Sequence, residues 1–327
     1  MCTYQGAQYL PEQLRSILAQ TVPVHELVVG DDGSSDDSLA IVRSLVEEYR
    51  ADPAHPRLDY IELARDRAVQ PEPFGVARNF ERALAAATGD VLALSDQDDR
   101  WHPERMRHML EALDRSDRVG LVHGDAALVD ADGAPLGVTL FEALGVSPAE
   151  LAEIDAGDGF DGLLRRNLVT GATTIVRASV RDAALPIPPG WIHDEWLAAV
   201  AGAIGATAVV RQPLVDYRQH GKNQIGAQKL TWAARWSRIT EPRTERNRRI
   251  LTRARSLVDR LPALAPRVSD HRLDQARAKL AHEEVRSALP VSRVRRLGPV
   301  LREWRGGGYR HYGMGTQDVV RDLVQPG

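Results

Sequence analysis

Short apolar runs alternate with amphipathic stretches along residues 1–218. Apolar runs bounded by turn residues predict buried strands. They lie at 26–30, 58–63, 91–94, 120–123, 126–129, 170–176, 207–210 and 214–217. Apolar residues with helical spacing predict helices over 9–19, after 36, over 75–87, from 103 and after 194. The alternation predicts an α/β domain, in which ligands bind at the carboxyl ends of the strands.

Three stretches depart from this alternation. A turn at 4–6 comes almost at the start of the chain, so we expect a truncated first strand. Residues 134–160 show no clear period and are expected to be irregular. Residues 231–327 have a helical pattern, which predicts a main domain over 1–230 followed by a helical extension over 231–327. Four prolines are expected to divide the extension into several helices: Pro262, Pro266, Pro290 and Pro299.

The net charge of −3 is unevenly distributed. Residues 231–327 hold 21 Lys and Arg against ten Asp and Glu, a net charge of +11, which leaves −14 for residues 1–230. The acidic body argues against nucleic acid as a partner. Tryptophans lie among the arginines of the extension, at Trp232, Trp236 and Trp304, and this mixture suits peripheral contact with a membrane. Helices that pack on the main domain with a solvated basic face are the commoner explanation.

Neither a membrane span nor a secretion signal is visible in the pattern. No apolar stretch reaches the roughly 18 residues of a transmembrane helix. The N-terminus has no basic region followed by an apolar core. The single cysteine, Cys2, excludes a disulfide within the chain and a cysteine zinc cluster. We therefore expect a cytoplasmic protein.

Three carboxylates follow the strand predicted at 91–94, namely Asp96, Asp98 and Asp99. Acids gathered at the mouth of a strand repel one another, and a bound cation would offset that repulsion. Mg²⁺ or Mn²⁺ fits, because one or two carboxylates and the oxygens of a phosphate complete its coordination. A solvated, Asp-rich turn is the alternative interpretation.

Other polar residues stand where predicted elements meet. Asp32 follows the strand at 26–30, where a carboxylate can accept from a base or a ribose, or can cap the next helix. Arg78 lies near a helix start, where it can reach a phosphate or stay solvated. Asp194 opens another helix and has the N-cap as its alternative role. His220 is a candidate metal ligand in a polar loop, although such a histidine is commonly a surface residue.

Taken in order, several motifs closely resemble family 2 glycosyltransferases over residues 1–226. They are Thr3-Tyr4-Gln5-Gly6, Asp31-Asp32-Gly33-Ser34-Ser35-Asp36, Arg78-Asn79-Phe80, Gly89-Asp90 and Ser95-Asp96-Gln97-Asp98-Asp99. Two further motifs resemble the bacterial rhamnosyltransferase-like branch: His193-Asp194 with Trp196-Leu197, and Tyr217-Arg218-Gln219-His220-Gly221. Two positions depart from the family pattern. Gln5 stands where Asn is usual, and Glu195 stands where a second Trp is frequent.

The resemblance implies a GT-A fold, with a Rossmann-like nucleotide half and an acceptor half around one continuous sheet. It also implies a set of residue roles. Cys2, Thr3, Tyr4, Asp32, Arg78, Asp96 and Asp98 would bind the nucleotide-sugar, Asp98, Asp99 and His220 would bind the metal, and Asp194 would be the catalytic base.

The activity implied is an inverting, metal-dependent sugar transfer from a nucleotide-diphosphate donor, with TDP-rhamnose favoured. The implied acceptor is a hydroxyl of a cell-envelope glycan or lipid-linked glycan at the inner face of the plasma membrane. A nucleotidyltransferase is one alternative, but residues 4–8 lack the glycine-rich basic loop that it would normally show. A catalytically impaired nucleotide-sugar-binding relative is the other, and it should have lost one of the acids, all of which are present.

Overall fold

The computed structural model describes residues 1–220 and 243–326. The predicted boundary at 230, together with Trp232 and Trp236, lies outside the described residues. Within the described ranges, no helix combines the length and the apolar character needed to cross a membrane.

A parallel three-stranded sheet forms the N-terminal part of the fold. Its strands are adjacent in chain order: β1 (Cys2–Thr3), β2 (Glu26–Asp31) and β3 (Asp59–Ala64). Three helices accompany them: α1 (Leu10–Leu18), α2 (Ser38–Ala51) and α3 (Val76–Ala86). The first strand is as short as predicted, with Cys2 opposite Gly30 and Thr3 opposite Asp31. Parallel pairing brings the carboxyl ends of all three strands to one edge.

A six-stranded mixed sheet forms the second part. Its strands are β4 (Val91–Ala93), β5 (Arg100–Trp101), β6 (Val119–Val129), β7 (Pro135–Thr139), β8 (Ile175–Arg177) and β9 (Ala206–Arg218). They run in the order β4-β8-β6-β9-β5, and β7 pairs with the free length of β6. The resemblance implies one continuous sheet, but the strands form two separate sheets. β1 has two residues and β4 has three, too few for a full ladder between them. The N–H of Cys2 donates to the carbonyl of Ser95 at 3.2 Å, and this hydrogen bond links the two sheets.

Four of the predicted strands form only two strands in the structure, because consecutive ones are joined. The pattern separates 120–123 from 126–129 and 207–210 from 214–217, but β6 and β9 each run through the gap. The register between them shifts at Gly124 and Asp125. The strand continues through this bulge with Gly124 and Asp125 both buried, so the break in the apolar pattern is not a break in the strand.

The helices of the second part are α4 (Arg105–Leu113), α5 (Leu140–Leu144), α6 (Pro148–Asp155), α7 (Gly159–Arg165), α8 (Ala178–Ala184) and α9 (His193–Ile204). The prediction that 134–160 is irregular was wrong, since β7, α5 and α6 lie there. Both helices begin with capping boxes, one at Thr139 and one at Ser147, and both are too short to show a helical period. The strand predicted at 170–176 is shorter than expected, because a 3₁₀ turn over Gly171–Thr173 precedes β8.

The C-terminal helices are α10 (Arg243–Arg260), α11 (Asp270–Ser287), α12 (Arg293–Arg305), α13 (Gly308–Tyr312) and α14 (Thr316–Val324). The predicted helical pattern is confirmed for these described residues. Pro299, however, lies inside α12 and does not divide it. Val300 and Arg296 are fully buried beside it, and this packing outweighs the local cost of a proline in the helix.

The C-terminal helices share a hydrophobic core with the main body. Leu257, Leu261 and Ala276 belong to the same buried cluster as Trp196 and Phe160. The prediction that these helices pack on the main domain is therefore confirmed. Some of their cations are structural and not solvated. Arg260, for example, donates to the carbonyls of Ala183, Leu185 and Pro186.

Gly205, which joins α9 to β9, permits a close backbone approach. A Cβ at this position would lie 2.4 Å from the carbonyl oxygen of Arg118, which is main chain and cannot swing away. We expect Gly205→Ala to lower the free energy of unfolding by about 1–3 kcal/mol, as overpacking typically does. Gly89→Ala is the control, since its Cβ would make an ordinary 3.6 Å contact and should change stability by less than about 0.5 kcal/mol. Chemical denaturation measures both, and equal stability of the two variants would contradict the clash.

Candidate active site

The acidic loop between β4 and β5 is held in place by two glutamine side chains. Gln13 of α1 is completely buried and donates to the hydroxyl of Ser95 at 2.7 Å and to the carbonyl of Asp96 at 3.2 Å. The Oε1 of Gln97 accepts from the hydroxyl of Thr3 at 2.7 Å and from the N–H of Tyr4 at 2.8 Å. Thr3 and Tyr4, which the resemblance assigns to nucleotide-sugar binding, therefore contact the acidic loop.

The end of β9 closes over the same loop. The N–H of Arg218 donates to Oδ1 of Asp99 at 3.1 Å, and its Nε donates to the carbonyl of Asp98 at 2.8 Å. His220 then places Nε2 at 2.7 Å from Oδ2 of Asp98, with its ring stacked on Tyr9 at 5.0 Å. The fold thus brings together Asp98, Asp99 and His220, three residues that the sequence predicts for one site.

Negative charge accumulates in this space. Burial, followed by the charge of Asp98, raises the pKa of Asp96 to about 7. The same causes raise the pKa of Asp99 well above its usual range. Tyr217, buried on β9, also has its pKa raised, first by burial and then by the carboxylates of Asp96, Asp99, Asp98 and Asp194. Four acids therefore share one poorly solvated region.

A divalent cation is chemically compatible with this donor set. Oδ2 of Asp99 is buried and has no hydrogen-bond partner, which is costly unless another group engages it. Carboxylate oxygens are the ligands that Mg²⁺ prefers, and Mn²⁺ also accepts imidazole. Within residues 1–220 and 243–326, no three His, Cys, Asp or Glu side chains already form a metal-holding group. The protein residues would thus supply part of a coordination sphere, as is usual where phosphates supply the rest.

Asp194 lies in the first turn of α9, oriented by two main-chain N–H groups. Gly171 donates to Oδ2 at 2.8 Å and Glu195 donates to Oδ1 at 2.7 Å. The N-cap interpretation was wrong, because Ile192 occupies that position. Burial raises the pKa of Asp194 to about 6, against the lowering effect of these hydrogen bonds. Its charge also raises the pKa of Asp96, so the two carboxylates interact across the site.

Asp32 organises the loop that follows β3. Its carboxylate accepts from the N–H groups of Phe74 and Gly75, each at 2.9 Å, and pairs with Nε of Arg65 at 2.9 Å. A carboxylate has about four acceptor positions, so these three contacts leave room for one more. Cys2 is buried nearby, and burial raises the pKa of its thiol to about 12, which keeps it neutral.

Arg78, which the resemblance assigns to the nucleotide-sugar, lies on helix α3. It is on the exposed face of α3 and pairs with Glu81 at 2.8 Å. In the part of the chain that the structure describes, Glu81 and not an acid of the loop is its ion-pair partner. The helical position turns this side chain outward, whereas Asn79 and Phe80 turn inward.

The sequence interpretation missed several residues that shape the site. Gln13, Gln97 and Arg65 were not predicted to act there. Gln13 did carry a signal, because it lies at helical spacing from Leu10 and Ile17 on the buried face of α1. A polar side chain on an apolar stripe must find a buried partner, and here the partner is the acidic loop.

These features define a class of protein, the GT-A transferases. Two structures of Staphylococcus aureus TarS match the fold. One is residues 1–349 with UDP, with a TM-score of 0.50 and 17% identity over 95% of this chain and 87% of that one. The other has a TM-score of 0.52 and 16% identity over 86% and 42% of the two chains. The predicted fold is confirmed.

Residues 1–124 match the family model described as glycosyl transferase family 2. The predicted resemblance to this family is therefore confirmed over residues 1–124, and the relatives named as glycosyltransferases support the predicted enzyme class. The dTDP-rhamnosyl transferase RfbG of Shigella flexneri is 25% identical over 273 residues, 79% of this chain and 85% of RfbG. An uncharacterized glycosyltransferase, alr2836 of Nostoc sp., is 35% identical over 120 residues, 37% of this chain and 33% of that protein. The chain spans 33% to 57% of the length of the first curated relatives that it matches.

Proposed function

We propose that this chain transfers a sugar from a nucleotide-diphosphate donor to an acceptor hydroxyl, with inversion at the anomeric carbon. The observation that carries the proposal is a buried carboxylate, Asp194, that is oriented by main-chain N–H groups and lies near enough to the loop at 95–99 to raise the pKa of Asp96. A base on one side of a site and a charge-binding loop on the other suit a direct displacement. No covalent intermediate is needed, because the acceptor oxygen attacks the anomeric carbon as the diphosphate leaves.

Asp194 acts as the general base in this proposal. With a pKa of about 6 it is ionised at neutral pH, yet basic enough to take the proton of an acceptor hydroxyl. The N–H groups of Gly171 and Glu195 hold both of its oxygens, so its orientation does not depend on bound substrate. The carboxylate receives the proton as the oxygen–carbon bond forms.

Asp98, Asp99 and His220 would hold Mg²⁺ or Mn²⁺. When bound, such an ion neutralises the charge of the diphosphate leaving group. His220 orients the carboxylate of Asp98, and the main chain of Arg218 orients that of Asp99. Because the last residue of β9 and the segment directly after it supply these contacts, the loop is positioned before any ligand arrives.

The donor and the acceptor are proposed from the family resemblance and from a named relative. In this proposal the nucleoside binds at the carboxyl ends of β1 and β2, against Cys2, Thr3, Tyr4 and Asp32. Arg78 would have to leave Glu81 to reach the phosphates of the donor. TDP-rhamnose is the favoured donor because RfbG is a dTDP-rhamnosyl transferase by name. The acceptor is proposed to be a cell-envelope or lipid-linked glycan, met at the inner face of the membrane.

Donor turnover tests the proposal. The purified protein is incubated with Mn²⁺ or Mg²⁺ and a panel of nucleotide-sugars, and the released nucleoside diphosphate is measured. Release from one donor, abolished by a chelator, is the expected result. A protein that binds a nucleotide-sugar in calorimetry and never turns it over, with any acceptor glycan supplied, would instead identify the catalytically impaired relative.

The pH profile tests the role of Asp194. A base works in its deprotonated form, so activity is present above its pKa and lost as the pH falls through it. We expect kcat/KM to be level at neutral pH and to fall below pH of about 6, by about tenfold per pH unit. The residual activity of Asp194→Asn should lack this decline. A profile that stays flat to pH 5, roughly one unit below that pKa, would exclude Asp194 as the base.

A further inference from the structure

Exposed apolar side chains are concentrated near the C-terminus. Eleven large hydrophobic residues are exposed in the described part of the chain, and eight of them lie between 291 and 324. These eight are Val291, Val294, Leu297, Leu301, Trp304, Met314, Val320 and Val324. Single exposed apolar residues are ordinary, but a contiguous set of them marks a surface that meets another apolar phase.

Helix α12 carries the centre of this set as one stripe. Val294, Leu297, Leu301 and Trp304 are spaced by three, four and three residues, so they lie on one side of the helix. The stripe is about 15 Å long at 1.5 Å per residue. The adjoining face of the helix is already used, since Arg296 and Val300 are buried against the rest of the chain. The stripe is therefore not the face by which α12 packs on the protein.

Arginines border the stripe without exposed acids between them. Five of the six arginines between 291 and 313 are exposed: Arg293, Arg295, Arg302, Arg305 and Arg310. Glu303 is the one acid in that interval, and it turns inward to meet the ring of His282 at 2.6 Å. The exposed surface of α12 is thus apolar and cationic together.

The combination of apolar and cationic side chains indicates what binds to the exposed surface of α12. A second copy of the chain would place the same arginines against each other, because a two-fold interface pairs a patch with itself. An anionic lipid surface instead offers acyl chains to the stripe and phosphates to the arginines. We propose that α12 lies in the interface of an anionic phospholipid membrane, with the apolar stripe facing the lipid and Arg293, Arg295, Arg302 and Arg305 at the head groups.

Vesicle binding tests this without any need for turnover. The full chain is sedimented with vesicles of phosphatidylcholine alone, or with about 30% phosphatidylglycerol, at low and high salt. We expect binding to the anionic vesicles that is at least about tenfold tighter than to the neutral ones and weakened by salt. Equal binding to both vesicles, or none to either, would overturn the proposal.

Two variants with matched controls locate the surface. Leu297→Glu should weaken binding to anionic vesicles by at least about tenfold, whereas Leu136→Glu should not, although Leu136 on β7 is equally exposed (49% against 47%). Arg302→Glu combined with Arg305→Glu should abolish the preference for anionic lipid. Arg277→Glu, at an exposed site on α11, should leave it unchanged. Thermal unfolding confirms that each variant is folded.

Other occupants of the stripe would give different results. If Leu297→Glu bound vesicles as the wild type does, α12 would not be the docking element. A wild-type dimer in light scattering that Leu297→Glu dissociates, with no vesicle binding, would assign the stripe to a second copy. A folded Leu297→Glu protein that is monomeric and fails to bind, beside a monomeric wild type that binds, supports the lipid assignment.

Discussion

Replacing Asp194 with Asn should lower kcat by about 10²–10⁴-fold, the range expected when a general base is removed. Asn is nearly isosteric and can still accept the N–H of Gly171, so the protein should fold and bind its donor. The loss should appear in kcat and not in the dissociation constant of the nucleotide-sugar. Steady-state kinetics and calorimetric titration with donor measure the two separately.

The neighbouring carboxylate provides the control for this substitution. Glu195 pairs with Arg253 at 2.7 Å and does not orient toward Gly171. Glu195→Gln should therefore keep kcat within about tenfold of wild type, which is below the range expected for loss of a general base. If the two variants lost activity equally, Asp194 would have no special role. If Asp194→Asn lost donor affinity and not kcat, it would be a binding residue.

Asp98→Asn is expected to have the second large effect, more than about 100-fold on metal affinity, since even partners of metal ligands cost 10–100-fold when removed. The variant keeps its shape but loses the charge that faces His220. Binding of Mn²⁺ in the presence of nucleoside diphosphate, followed by electron paramagnetic resonance, gives a measurement that is independent of turnover.

A chelator applied to the wild type should reproduce the loss of activity seen in this variant. Asp182→Asn is the matched control, because Asp182 is an exposed carboxylate on α8 that pairs with Arg181. It should bind Mn²⁺ as the wild type does. Unchanged Mn²⁺ binding in Asp98→Asn would remove Asp98 from the metal site and leave Asp99 and His220 to account for it.

The acidic loop was predictable from sequence because two simple regularities determine its place. A short apolar run predicts a strand, and acids directly after it must lie at the strand's carboxyl end. The pairing of His220 with Asp98 came from the family resemblance, since no local pattern indicates a contact between residues 122 apart. The supporting glutamine, Gln13, needed the three-dimensional packing of α1.

The errors in prediction have physical causes of a different kind. Helices α5 and α6 are too short for a period, and the bulge at Gly124 hides the continuity of β6. The orientation of Arg78, by contrast, was left open by the sequence, and its place just before two inward-facing positions turns it outward. Local sequence does not fix which way such a residue at the edge of a stripe will point.

The basic composition of the extension illustrates a further limit. An arginine in a helical pattern is expected to be solvated, yet Arg286 is almost fully buried and pairs with Asp322 at 2.7 Å. Arg243 likewise donates to the carbonyls of Arg286 and Pro290. The net charge of the extension treats every arginine as surface charge, but some of these arginines are buried inside the protein. The exposed arginines of α12 are among those that stay at the surface.

The hydrophobic cluster shared by α9 and the C-terminal helices restricts how this protein can be recombined with its relatives. Trp196 and Leu197 lie one turn or less from the proposed base and pack in the same cluster as Leu257 and Leu261. A chimaera that kept residues 1–220 and took foreign C-terminal helices would have to supply side chains that fill this cluster equally well. The C-terminal helices therefore cannot be exchanged as a cassette, because a mismatched graft would disturb the helix that presents Asp194.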